Sequence, residues 1–219
     1  MKHTVIFDMD GVIIDSEPIH MEIEQAMFDA YNIRLTEAEH TGFVGTSTKN
    51  MWQTLKEKFA LAPTVEELVY QNRKYFLDYL KSHPAIQPIE GVRPLVEALS
   101  TMGHTLVLAS SAGRENIETV LERLELTGHF PVQVSGDELP HSKPHPEIFL
   151  KAAGLVKVLP EHCLVIEDSA NGVKAAKAAG MKCIGFQNPN SGNQDLRKAD
   201  LIVKKMTEVT LDVVRQLLR

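Results

Sequence analysis

Thr4-Val-Ile-Phe-Asp-Met-Asp-Gly-Val-Ile-Ile-Asp15 is the stretch that decides how the rest of this chain is read. Thr4 to Phe7 is short, apolar and largely β-branched, the pattern of a buried strand. Its end carries two carboxylates, Asp8 and Asp10, and Gly11 then lets the chain turn sharply away. Carboxylates at a buried strand end are unfavourable unless a cation or hydrogen bonds satisfy them. The arrangement makes sense if one aspartate attacks a phosphorus, a divalent metal offsets the crowded charge, and the other aspartate moves protons. Taken alone, an Asp-x-Asp at this place is better read as an Asx turn or a cap. Segments further along the chain therefore have to decide between the two.

Further strand-like runs are Thr105–Ala109, Val132–Ser135, Cys163–Ile166, Lys182–Phe186 and Asp200–Val203. Several are almost continuously apolar, as strands covered on both faces of a parallel sheet must be. Helical patterns lie between them: Ile117, Val120, Leu121 and Leu124 recur at helical spacing, and Gly172–Ala179 is alanine-rich with Gly180 as its stop. Alternating strand and helix predicts an α/β fold with a doubly wound parallel sheet, Rossmann-like, whose ligands sit at the carboxyl ends of the strands.

From about Pro18 to His83 the rhythm changes to three or four helical segments without a convincing strand. Ile19, Ile23, Ala26, Met27 and Ala30 mark one helix face, and Val65, Leu68, Val69, Phe76 and Tyr79 another; Thr36/Glu39 and Thr64/Glu67 have capping-box spacing. These stripes predict a small helical core of their own. The expected division is an α/β core of residues 1–15 and 85–219 and a helical cap of residues 16–84, with Asp15–Pro18 and Pro84–Pro88 as hinges.

The 219 residues carry a net charge of −6, which gives no sign of a nucleic-acid or anionic-membrane partner. Cys163 and Cys183 each open a hydrophobic run and read as buried apolar residues; two cysteines support neither a disulfide framework nor a zinc site. No signal peptide or membrane-length run is visible, so the expectation is a cytoplasmic monomer.

Three more segments carry chemistry. Leu108-Ala-Ser-Ser-Ala112 ends a buried strand and offers the Ser110 hydroxyl, with Ser111 and the adjacent N–H groups, to an anionic oxygen; a helix N-cap would look the same. Ser142-Lys-Pro-His-Pro146 holds Lys143 where it can bridge a carboxylate and a phosphate, although Lys-Pro by itself suits a solvated surface. Val165-Ile-Glu-Asp-Ser169 again ends an apolar strand in acid. With Asp8 and Asp10, Glu167 and Asp168 make an oxygen-rich set suited to Mg²⁺.

In this order the four segments resemble the haloacid dehalogenase superfamily of phosphotransferases, over essentially the whole chain. The closest likeness is to its β-phosphoglucomutase-like phosphatase group, for which Asp8-Met-Asp-Gly-Val12 with Asp15-Ser-Glu-Pro-Ile-His20 is specific. The resemblance implies that Asp8 is a nucleophile forming an aspartyl-phosphate and Asp10 the general acid/base. It implies that Ser110 and Lys143 hold the phosphoryl group. Asp168 would ligate Mg²⁺ with Asp8 and the Asp10 backbone carbonyl, and Glu167 would support or share that site. The superfamily usually has glycine before the lysine; Ser142 here bears on the loop geometry.

For the substrate side, His20 resembles a histidine near the cap hinge. Gly45-Thr-Ser-Thr-Lys-Asn50 resembles the cap loop that reaches into the site; where the mutases carry an arginine for a second phosphate, the best match is Lys49, which lacks the bidentate fork. Arg114 and Asn116 follow the Ser110 loop as further substrate-binding candidates, and one of Arg73 and Lys74 could point inward. The reading is a Mg²⁺-dependent phosphatase of a small phosphorylated metabolite, a sugar phosphate foremost. Its first alternative is β-phosphoglucomutase. A non-enzymatic receiver-type phospho-acceptor ranks last, since such modules lack both the helical insert and an acid two residues after the acceptor aspartate.

Overall fold

The computed structural model describes residues 3–43, 46–83 and 86–219. Gly45 of the predicted cap loop and Pro84 of the second hinge lie outside the described residues, as does Ala85 at the expected boundary. Among the described residues six strands, all parallel, form one sheet. They are β1 (Thr4–Phe7), β2 (Thr105–Ser110), β3 (Val132–Ser135), β4 (Cys163–Glu167), β5 (Lys182–Phe186) and β6 (Leu201–Val203), in the order β3-β2-β1-β4-β5-β6. β1 is central and wholly buried. Strand alternation sends Val5 and Phe7 to one face and Ile6 to the other, into two separate apolar clusters.

α5 (Val92–Thr101), α6 (Arg114–Arg123) and α9 (Leu211–Leu217) contribute to the Val5/Phe7 cluster, and α7 (Glu147–Val156) and α8 (Ala170–Ala178) to the Ile6 cluster. The result is the predicted doubly wound α/β architecture. Small differences have local causes. β2 and β4 each run one residue further than the apolar pattern, so Ser110 and Glu167 belong to the strands themselves. Asp200 stays outside β6 because its carboxylate takes Lys177, Lys182 and the Cys183 N–H instead. Both cysteines are free and buried, and burial pushes the Cys163 thiol up to about 11.

Between β1 and α5 lie four helices, α1 (Glu17–Ala30), α2 (Glu37–Thr41), α3 (Thr48–Phe59) and α4 (Val65–Ser82). Both predicted capping boxes form, Thr36 with Glu39 and Thr64 with Glu67. On α1 the buried stripe is Ile19, Ile23, Met27 and Phe28; Ala26 and Ala30 are exposed, because the bulkier Phe28 occupies the space against His40 and Trp52. The helical core is not isolated: Ile23, Met27, Trp52 and Phe76 belong to the same apolar cluster as Val5 and Phe7, joined through Val12–Ile14.

Candidate active site

The strand order reverses direction between β1 and β4, the switch point at which open α/β sheets bind ligands. Phe7 is paired with both Leu108 and Ile166, so the next residue of each strand comes out at one level: Asp8, Ala109 and Glu167. The Asp8 N–H donates to the Ile166 carbonyl at 3.0 Å, tying that level down. Asp8, Glu167 and Asp168 are all buried, with one oxygen from each within 4.8 Å of the others.

Lys143 is drawn into this group from the loop after β3. Its Nζ donates to Asp8 Oδ1 at 2.5 Å and Glu167 Oε1 at 2.7 Å, with its side chain only 7% exposed. Burial would lower the lysine, but Asp8 and Glu167 outweigh it and hold the ammonium above its ordinary range. Serine in place of the usual glycine at 142 does not prevent this reach.

Glu167 is the most completely satisfied of the acids. Besides Lys143 it accepts the Ser169 N–H at 2.7 Å and the Ser169 hydroxyl at 2.9 Å. Asp168 accepts the Ser191 hydroxyl. Two glycines make room: a Cβ at Gly11, which has φ +74°, would fall 1.9 Å from Asp168 Oδ2, and one at Gly172 would fall 1.7 Å from Glu167 Oε1.

One ammonium faces three buried carboxylates. Burial, opposed by Lys143 and reinforced by Glu167 and Asp10, raises Asp8 to about 8; burial, with Glu167 and Asp8 beside it, pushes Asp168 well up. That excess of negative charge fits a divalent cation held chiefly by Asp8 and Asp168, since the Glu167 oxygens are engaged by Lys143 and Ser169. The Asp10 carboxylate lies outside this side-chain cluster; the ligand that the resemblance implies from Asp10 is its backbone carbonyl.

Asp10 has a different environment. Its Oδ1 accepts from Ser16 Oγ at 2.7 Å and its Oδ2 from Ser110 Oγ at 3.3 Å, and His20 Nε2 stands 3.8 Å from Oδ1. Burial would raise this acid; His20, Ser16 and Ser110 outweigh it and hold it below the usual carboxylate range. Burial would depress His20, but Asp10 outweighs that too and holds the imidazole up. His20 is fixed by stacking on Phe76 of α4, with centroids 4.6 Å apart and planes 12° apart. The two aspartates of the opening motif are thus poised differently, one crowded by acids and one held as a carboxylate by donors.

The cluster opens into a cleft of about 640 Å³, the size of a small-metabolite site. Its wall includes Asp10, His20, Lys49, Ser111, Asn116 and Arg73. Two predicted residues fall elsewhere. Ser110 is fully buried and does not line the cleft: its hydroxyl donates to Asp10 and accepts the Ala112 N–H. Arg114 is turned away, forked onto Glu138 by two 2.9 Å bonds and donating to the Gln133 carbonyl, a stronger arrangement than open solvent beside the cleft. Lys74 also points out, to Asp78.

Several contributors were missed by sequence reasoning. Ser16, Ser169 and Ser191 each hold one acid, and Asn188 donates to the Gly11 carbonyl at 3.0 Å. No local signal marks Asn188 or Ser191, which lie two and five residues past the end of β5 in a polar loop. Arg73 forms a forked pair with Asp137 at 2.6 and 2.5 Å, linking α4 to the turn after β3 across the cleft mouth. Its partners are 39% and 30% exposed, so Arg73→Ala should reduce stability by less than about 1 kcal/mol in urea unfolding. A larger loss would mean that this pair is a principal attachment of the helical segment.

The haloacid dehalogenase-like hydrolase family model matches residues 5–186. The phosphorylated carbohydrates phosphatase of Thermotoga maritima is 32% identical over 219 residues, 98% of this chain and 99% of that protein. The β-phosphoglucomutase of Bacillus subtilis is 29% identical over 218 residues, 97% and 93% of the two chains. The crystal structure of CbbY from Rhodobacter sphaeroides in complex with phosphate superposes with a TM-score of 0.87 at 21% identity, covering 98% of this chain and all of that one. With strand order, catalytic-edge geometry and these likenesses in agreement, the chain belongs to the haloacid dehalogenase-like hydrolases and is an enzyme.

Proposed function

We propose that this enzyme is a Mg²⁺-dependent phosphatase of a small phosphorylated metabolite, a sugar phosphate foremost, working through a phosphoryl group carried on Asp8. The observation that carries the reading is the unequal pair: Asp8 beside Lys143 and two acids, Asp10 beside Ser16, Ser110 and His20. The relative named a phosphorylated carbohydrates phosphatase supports the substrate class.

In the proposed reaction an Asp8 carboxylate oxygen bonds to phosphorus and the bond to the substrate oxygen breaks. A proton from the His20–Asp10 pair, delivered by Asp10, neutralises the departing alkoxide. A water oxygen then attacks the phosphorus, Asp10 accepts its proton, and the Asp8–phosphorus bond breaks to release phosphate. Lys143, fixed by Glu167, offsets charge on the transferring group throughout. Mg²⁺ bound by Asp8 and Asp168 would neutralise the anionic substrate as it meets the nucleophile. Ser111 and Asn116 border the cleft, which supports a role for them in contacting the phosphorylated metabolite.

The second reading, β-phosphoglucomutase, is favoured by the Bacillus subtilis relative of that name. It requires a site for a second phosphate, and Lys49 on the helical wall is the residue for it. If Lys49 grips a second phosphate, Lys49→Ala should cripple isomerisation and weaken bisphosphate binding while hydrolysis of a small monophosphate persists. In a phosphatase the loss should be small and should vary with substrate size. Purified protein with Mg²⁺, screened against phosphometabolites beside a β-glucose 1-phosphate to glucose 6-phosphate assay, separates the two. Phosphate release from sugar phosphates supports the phosphatase; primer-dependent isomerisation without release supports the mutase. Silence in both overturns each of them.

The helical segment of residues 16–84 serves in this reading as a cap that closes over the cleft and excludes water during transfer. Ligand-dependent hydrogen-exchange protection near Asp15–Pro18 and residues 86–88 is the expected signature. Unchanged exchange at both would contradict cap motion.

A further inference from the structure

On the outer side of the loop that delivers Lys143 lies a group the phosphoryl chemistry does not use. His141 Nδ1 stands 3.0 Å from Glu147 Oε2, and His145 Nδ1 stands 3.8 Å from the same oxygen. The two imidazole rings are 4.4 Å apart and inclined by 32°. One donor atom from each of the three lies within 4.8 Å of the others. A tetrahedral zinc ion with bonds of about 2.0–2.1 Å separates its ligand atoms by about 3.3 Å, and the two measured separations bracket that value.

We propose that His141, His145 and Glu147 form a second metal site, selective for a borderline divalent transition ion of the Zn²⁺ type. Two imidazoles and one carboxylate suit Zn²⁺, Ni²⁺ or Cu²⁺ and are poor company for Mg²⁺, which prefers oxygen. The side chains are 61%, 49% and 29% exposed, so an ion has an open path and room for a water as fourth ligand. Gathering the set needs only side-chain rotation, since Glu147 opens α7 and both histidines sit on the preceding loop. The positive end of α7 opposes a cation there; the Glu147 carboxylate offsets it.

The consequence lies in position. His141 and His145 flank Lys143 at two residues on either side. An ion joining them to the first turn of α7 closes the loop into a ring and restrains the segment that presents Lys143 to Asp8 and Glu167.

The test uses untagged, chelator-stripped protein in excess Mg²⁺, which keeps the acidic cluster occupied. Zn²⁺ is titrated calorimetrically into wild type, the His141→Ala/His145→Ala double variant and Glu147→Gln. Wild type should take up one more equivalent than the double variant and gain melting temperature on binding. Co²⁺ should give a visible d–d spectrum with wild type that the double variant lacks. Glu147→Gln should bind at least about tenfold more weakly, the scale on which losing even a ligand's supporting partner registers. Mg²⁺-dependent hydrolysis without Zn²⁺ should be unchanged in the double variant, showing that its fold is intact. Equal Zn²⁺ stoichiometry and affinity in wild type and double variant overturn the site; unweakened binding by Glu147→Gln overturns the three-ligand assignment.

Discussion

Asp8→Asn is expected to abolish turnover while leaving the fold intact, because an amide cannot attack phosphorus. The stability of this variant has a worked sign. Asp8 is raised to about 8 by burial and its acidic neighbours, against the pull of Lys143. An acid raised on folding is tolerated while protonated and destabilises progressively as pH climbs from the unfolded value of 3.8 towards about 8. Without divalent metal, Asp8→Asn should therefore melt at or above wild type at pH 8, with the difference closing towards pH 4. Mg²⁺ should raise the melting temperature of wild type more than that of the variant. Residual activity above a few per cent in protein free of deamidation, checked by intact mass, would remove Asp8 as nucleophile.

Asp10→Ala should depress turnover by about 10²–10⁴-fold, the range for losing a positioned general acid or base. The loss should depend on the leaving group. p-Nitrophenyl phosphate expels a stable phenolate, so its single-turnover phosphorylation should suffer less than that of a sugar phosphate. The His20 contact makes a companion expectation. His20→Gln removes the group that holds Asp10 down and stores the proton beside it, so the acidic limb of the rate profile should move towards higher pH. Equal phosphorylation losses for good and poor leaving groups in Asp10→Ala would argue against the acid role.

The strand ends were legible because a buried apolar run that stops in Asp or Glu is anomalous in a way that physics restricts. Asp8, Glu167 and Asp168 stand out on that ground alone, and the parallel register then levels them. Lys143 was legible only through its order in the chain, since nothing local says that a Lys-Pro lysine turns inward. The braces were not legible. Ser191 reaches Asp168 from 23 residues away and Asn188 reaches Gly11 from 177, and serine and asparagine are commonplace in loops. Arg114 was misplaced for a similar reason: its partner Glu138 stands 24 residues on and is met only once β3 has paired with β2. On α1, period alone could not choose between Ala26 and Phe28, and bulk decided it.

The central claim is that the phosphoryl group rests covalently on Asp8. Wild type mixed with ³²P-labelled substrate and Mg²⁺, then acid-quenched within one turnover, should hold protein-bound label that is stable to acid and released by hydroxylamine, as an acyl phosphate is. Borohydride reduction should convert the labelled residue to homoserine in the peptide containing Asp8, and Asp8→Asn should show none. Turnover without any trapped label, or label that maps to a residue other than Asp8, would contradict the account.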